Sequence, residues 1–81
     1  MAILIVDENT QVRLFVTRLL ATYGFLTIEA KDGQSAVSVV RENPGMIDVL
    51  LTDVELQGMN GFDLANAIRS EFPSITLDSR C

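Results

Sequence analysis

The chain has no histidine, a single cysteine at its last position, two prolines and only six basic residues among 81. Each scarcity removes a class of function. Without histidine, imidazole acid–base catalysis and the usual zinc centres are excluded. Cys81 has no second cysteine to pair with, so no internal disulfide staples the fold. The basic residues are scattered and outnumbered by eleven acids, giving a net charge of −5. Such a surface does not track a phosphate backbone, so no direct nucleic-acid partner is expected. Long hydrophobic runs are missing too: the N-terminal MAILIV gives way at once to DEN. That is too short for a signal peptide or a membrane span, and the expected setting is soluble and cytoplasmic, with no membrane partner. What is there is a chain 48% hydrophobic and 21% charged, the composition of one small packed domain.

Hydrophobic periodicity orders the elements. Ala2 to Val6 is a short apolar run rich in Ile and Val, which reads as a strand buried on both faces. From Asn9 or Thr10 the period changes, and Val12, Phe15, Val16, Leu19 and Leu20 form a helical stripe with Arg13, Thr17 and Arg18 on the other side. Asn9 or Thr10 is the expected N-cap and Gly24 the terminator. Phe25 to Ala30 reads as a second strand, followed by a turn at Lys31–Gly33. Ala36, Val37 and Val40 mark a second helix that stops before Pro44. DVLLT is a third buried strand leading to Asp53, Phe62, Leu64, Ala65 and Ile68 a third helix ending near Pro73, and SITLD the start of a fourth strand. The order β-α-β-α-β-α-β, with short connections, predicts an α/β fold: a doubly wound parallel sheet covered by helices.

In such a sheet ligands gather beyond the carboxyl ends of the strands. Asp7 and Glu8 close the first strand and Asp53 the third; if these strands are neighbours, three carboxylates converge. Unpaired they would repel, and a divalent cation removes the conflict. An all-oxygen donor set with room for water suits Mg²⁺ or Mn²⁺. Either acid of the first pair, taken alone, reads more readily as a helix cap or as a charge that solubilises a loop. Asp53 is more telling, because a charge ending a buried run is costly unless it is partnered. The loop VELQGMNG after it carries Gly58 and Gly61, with Asn60 or Gly61 leading into the third helix. Backbone amides there could receive a phosphate, although an ordinary strand-to-helix connection has the same composition.

Taken together, ILIVDENTQVR, GFLTIEAKDGQSAV and DVLLTDVELQGMNGFDLANAIR resemble the receiver domain of two-component response regulators, in order and spacing from Ile3 to about Pro73. The resemblance implies a flavodoxin-like fold and a phosphoacceptor role for Asp53. It implies Mg²⁺ (or Mn²⁺) held by Glu8 directly, by Asp7 through water, by Asp53, and by the backbone carbonyl of Glu55. Gly58, Asn60 and Gly61 remain the candidate phosphate loop. The donor would be a histidine kinase or phosphotransfer protein, or a small phosphodonor. The module would not be a turnover enzyme; the new charge, about −1.5 to −2, would drive its signal.

The sequence departs from the family pattern in places. Gln57 stands where a loop proline is common, and the fifth strand with its lysine is absent. Ser79 is the candidate for the switch hydroxyl, with Cys81 closer to the usual spacing. Residues 1–81 therefore read as a single receiver domain lacking its usual last α/β units. Such a chain would bare one apolar face of the first helix and leave the fourth strand as an edge. It is expected to form a homo-oligomer with exchanged elements, or to be a fragment of a longer protein. The alternative function is a truncated, receiver-like interaction protein without a phosphorylation switch. A nucleotide-binding half-domain is set aside, because VDENTQ has no glycines and would repel a pyrophosphate.

Overall fold

A computed structural model describes residues 2–53 and 61–80, and gives only the backbone of residues 53, 61, 62 and 78–80. Seven elements alternate: β1 (Ala2–Val6), α1 (Thr10–Thr22), β2 (Leu26–Ala30), α2 (Gly33–Glu42), β3 (Val49–Asp53), α3 (Gly61–Glu71) and β4 (Thr76–Arg80). The four strands form one parallel sheet in the order β2-β1-β3-β4. The expected α/β architecture is therefore present, with β1 and β3 as direct neighbours at its centre and β4 at one edge.

Local chemistry sets the boundaries. The Asn9 side chain caps α1, its Oδ1 accepting from the amides of Gln11 (3.0 Å) and Val12 (3.1 Å). α1 ends at Tyr23, and Gly24 follows at φ +88°, a left-handed turn that a Cβ would strain. Asp32 caps α2 by accepting from the Ser35 amide at 2.7 Å. α2 stops at Asn43, whose side chain turns back to donate to the Val39 carbonyl at 2.7 Å, just before Pro44. The strands share a latch at their amino ends. Asp48 Oδ2 accepts from the Ala2 amide, while its backbone bonds Ala2 on one side and Thr76 on the other. One residue thus pins the register of β1, β3 and β4.

The two faces of the sheet are unequally covered. Leu4, Val6, Ala30 and Leu50 point to one face and join Ala36 and Val40 of α2, Leu64 and Ile68 of α3, and Ile47 and Ile75 in a buried core. α2 and α3 also clasp each other through Arg41 and Glu71, bonded in parallel at 2.9 and 2.6 Å. On the other face α1 packs on β1 and β2 and buries Ile3 and Ile5. Val49 and Leu51, their partners in register on β3, are only half-buried.

α1 corrects the sequence expectation in one respect. The side turned to the sheet carries Arg13, Val16, Thr17 and Leu20, spaced i, i+3, i+4 and i+7. Val16 and Leu20 are half-buried there, as expected, and Arg13 and Thr17, expected outward, are half-buried as well. Val12, Phe15 and Leu19 lie exposed, Phe15 at 68% of its surface. The helix carries two adjacent apolar stripes, and hydrophobicity alone cannot say which one the sheet covers. The long stem of Arg13 lies inward because its head finds two oxygen acceptors there.

Candidate functional site

The carboxyl ends of β1 and β3 define one edge. Pairing runs Ile3↔Val49 through Val6↔Thr52, so the next residues, Asp7 and Asp53, stand side by side where the strands emerge. Neighbouring parallel strands lie about 5 Å apart, which puts these two backbones within reach of one small ion or group. Asp53 also pairs with Arg80 of β4, and Thr52 with Ser79. Ser79 thus sits one step before the level of Asp53. Gly61 opens α3 as expected. Glu55, Gly58 and Asn60 lie outside the described residues, as do Gln57 and Cys81.

Asp7 is held firmly. It is 3% exposed, an unusual burial for a carboxylate. Its amide donates to the Ala30 carbonyl at 3.2 Å, extending the β1–β2 ladder by one bond. Its Oδ1 accepts from the Asn9 amide at 2.8 Å, a local turn that leads into α1. Its carbonyl accepts from Arg13 Nη1 at 2.7 Å. Glu8, between the fixed residues Asp7 and Asn9, is exposed to solvent.

The donor chemistry at this edge is all oxygen: a buried carboxylate, an exposed one beside it, and the Asp53 backbone one strand away. That set fits a hard divalent cation and no soft one. Among the described residues, no three His, Cys, Asp or Glu side chains form a metal-holding group. Asp53, the expected third acid, is given by its backbone alone. Among the described residues, too, no helix is long and apolar enough to cross a membrane.

This geometry can be compared with known proteins. Residues 3–77 match the family described as response regulator receiver domain. The chain belongs to that family. The receiver domain is 40% identical over 72 residues to the chemotaxis protein CheY of Pseudomonas aeruginosa, covering 88% of this chain and 56% of CheY. It therefore spans about half the length of this relative. A response regulator receiver domain protein from Clostridium thermocellum superposes with a TM-score of 0.93 at 23% identity, over 96% of this chain and 62% of that one, and shows the fold. The response regulator TrrA of Thermotoga maritima, determined in complex with Mg(2+)-BeF, gives a TM-score of 0.87 at 25% identity, over 94% and 64%. The flavodoxin-like receiver architecture is thus established, and the chain is a response regulator receiver domain.

The sequence reading singled out Asp7, Glu8 and Asp53 but overlooked Arg13. Its signal was available: Arg13 falls on the stripe with Val16, Thr17 and Leu20, six residues after Asp7. The apolar stripe of Val12, Phe15, Val16, Leu19 and Leu20 placed Arg13 on the opposite, solvent side.

Proposed function

We propose that this receiver domain accepts a phosphoryl group on Asp53 from a phosphohistidine of a histidine kinase or phosphotransfer protein, with Mg²⁺ as cofactor. The observation that carries the reading is the placement of Asp53 at the end of β3, level with the buried Asp7 at the end of β1, in a chain of this family. In the reaction a carboxylate oxygen of Asp53 attacks phosphorus. An O–P bond forms, the N–P bond of the donor breaks, and the departing imidazole retains its electron pair and takes up a proton. Asp7 and Glu8, with Asp53 and the carbonyl of Glu55, would hold the metal. When bound, the metal supplies charge neutralisation on the transferred group. Asp7 contributes a carboxylate fixed in place beforehand, so little reorganisation accompanies binding. Gly58, Asn60 and Gly61 would offer backbone amides to the phosphoryl oxygens, and Ser79 is the proposed switch hydroxyl. TrrA, a similar protein, was captured with Mg(2+)-BeF, which supports the metal. The test is incubation with Mg²⁺ and acetyl phosphate, followed by intact mass. One phosphoryl group on the wild type and none on Asp53→Asn is expected; no gain on the wild type rejects the reading.

The exposed stripe of α1 favours a second reading alongside the first. Phe15 and Leu19, with Gln11, Leu14, Arg18 and Thr22, border a shallow depression on the outer face of α1. This apolar surface supports self-association of the chain, with or without exchange of elements. Sedimentation over a hundredfold concentration range tests it. Association weakened by Phe15→Ser is the expected result; a monomer throughout rejects it.

A further inference from the structure

Arg13 links three elements at the acid edge. It rises from the first turn of α1; its Nη1 donates to the Asp7 carbonyl at 2.7 Å and its Nε to Glu29 Oε1 of β2 at 3.0 Å. Its side chain is 15% exposed, so a cation is largely withdrawn from water to make these bonds. A guanidinium presents its donors in a rigid planar fork, and a head anchored at two acceptors has a fixed orientation. A charged donor to a carbonyl at this distance belongs to the strong class of hydrogen bonds.

The same loop is tied twice more. The Arg13 amide donates to the Asn9 carbonyl at 2.9 Å, and the Asn9 amide to Asp7 Oδ1 at 2.8 Å. Both the side chain and the main chain of Arg13 therefore close on the segment Asp7–Asn9. Of that segment's residues, Asp7 is fixed at its amide, carbonyl and Oδ1, and Glu8 lies between two fixed neighbours. α1 has other ties to the fold: Asn9 caps it, and Val16 and Leu20 lie half-buried on its sheet-facing side. The guanidinium adds a definite path for the chain as it leaves β1.

We propose that Arg13 is a positioning residue for the metal-binding acids. Its guanidinium fixes the backbone from which Asp7 and Glu8 present their carboxylates. Glu29, reached from the neighbouring strand, holds that guanidinium in place. The proposal rests on the phosphoacceptor reading of this edge. It concerns metal affinity rather than the phosphoryl step itself, since Arg13 touches the ligands' backbone and not the reacting group.

The experiment is titration with Mn²⁺, free ion being counted by electron paramagnetic resonance, on the whole chain at a temperature well below its melt. Arg13→Met keeps the apolar stem and removes every side-chain donor. It is expected to weaken Mn²⁺ binding about tenfold, the lower end for loss of a partner that orients a metal ligand. Arg13→Lys retains a charged donor group but not the planar fork, and is expected to lose about threefold. Glu29→Gln retains an acceptor and is expected to stay within about twofold, because the bond to Asp7 persists. Wild-type affinity in Arg13→Met, with or without a lower melting temperature, overturns the proposal and leaves Arg13 a structural role only. Should Arg13→Met not fold, wild-type affinity in Arg13→Lys overturns it equally. Absence of Mn²⁺ binding by the wild type would instead overturn the reading of the site on which the proposal stands.

Discussion

Leu50 and Leu51 are adjacent on β3 and point to opposite faces of the sheet, so together they weigh the two faces directly. Leu50 is fully buried, in register between Leu4 and Leu77, within the core that α2 and α3 close. Leu51, in register with Ile5 on the α1 face, is half-buried. Leu50→Ala removes three carbons' worth of packing from a site with no solvent to fill it, and should cost about 3 kcal/mol. Leu51→Ala removes the same atoms from a site already half in water, at about 0.8 kcal/mol per buried methylene, and should cost about 1 kcal/mol. An 81-residue chain has a total stability of roughly 4–12 kcal/mol, so the first substitution consumes a large share and the second a minor one. Urea denaturation followed by circular dichroism measures both, at two protein concentrations tenfold apart. Equal losses at low concentration would refute the unequal coverage described here. A Leu51→Ala loss that grows with concentration would show that a second copy covers the α1 face.

Two further predictions concern single groups. Thr17 Oγ1 is buried without a hydrogen-bond partner among the described residues; Thr17→Val removes that hydroxyl at nearly constant shape and should stabilise the chain by about 1 kcal/mol, whereas destabilisation in a thermal melt would show a partner in solution. The Glu71 carboxyl is held below its ordinary value near 4.5, chiefly by the hydrogen bonds from Arg41, and Asp32 below 3.8 by the Ser35 amide. Both carboxyls titrate lower in the folded chain than in the unfolded one, so their contribution is present above those ordinary values and is lost as pH falls through the folded ones. Glu71→Gln should therefore flatten the acid side of a melting-temperature profile slightly, and less so in high salt, since the pair is exposed. An acid slope identical to the wild type's would contradict the role of the pair.

Much of the fold was legible in the sequence because period and punctuation agreed. The Ile- and Val-rich run of β1, the shift to helical spacing after Asn9, and the stops at Gly24 and Pro44 each fell within a residue or so of the observed boundary. β4 was legible only in part. Its run TLDSR is mostly polar, and it forms because backbone pairing to β3 and the latch at Asp48 place it, with Leu77 entering the core. The orientation of α1 was not legible. Val12, Phe15 and Leu19 compete there with Val16 and Leu20, and hydrophobic spacing alone does not choose between the two sides; in the fold the side with Val16 and Leu20 faces the sheet. At the site, the acids were found because charges that end apolar runs are conspicuous. Arg13 was not, because a basic residue on a helix looks alike whether it faces water or a carbonyl.

The claim that the β1–β3 edge is a phosphoacceptor site is tested most directly by intact-mass analysis after incubation with Mg²⁺ and acetyl phosphate. The wild type should gain one phosphoryl group that is labile to hydroxylamine, as an acyl phosphate is, and that disappears in Asp53→Asn. An unmodified wild type, or an equal gain in Asp53→Asn, would contradict it.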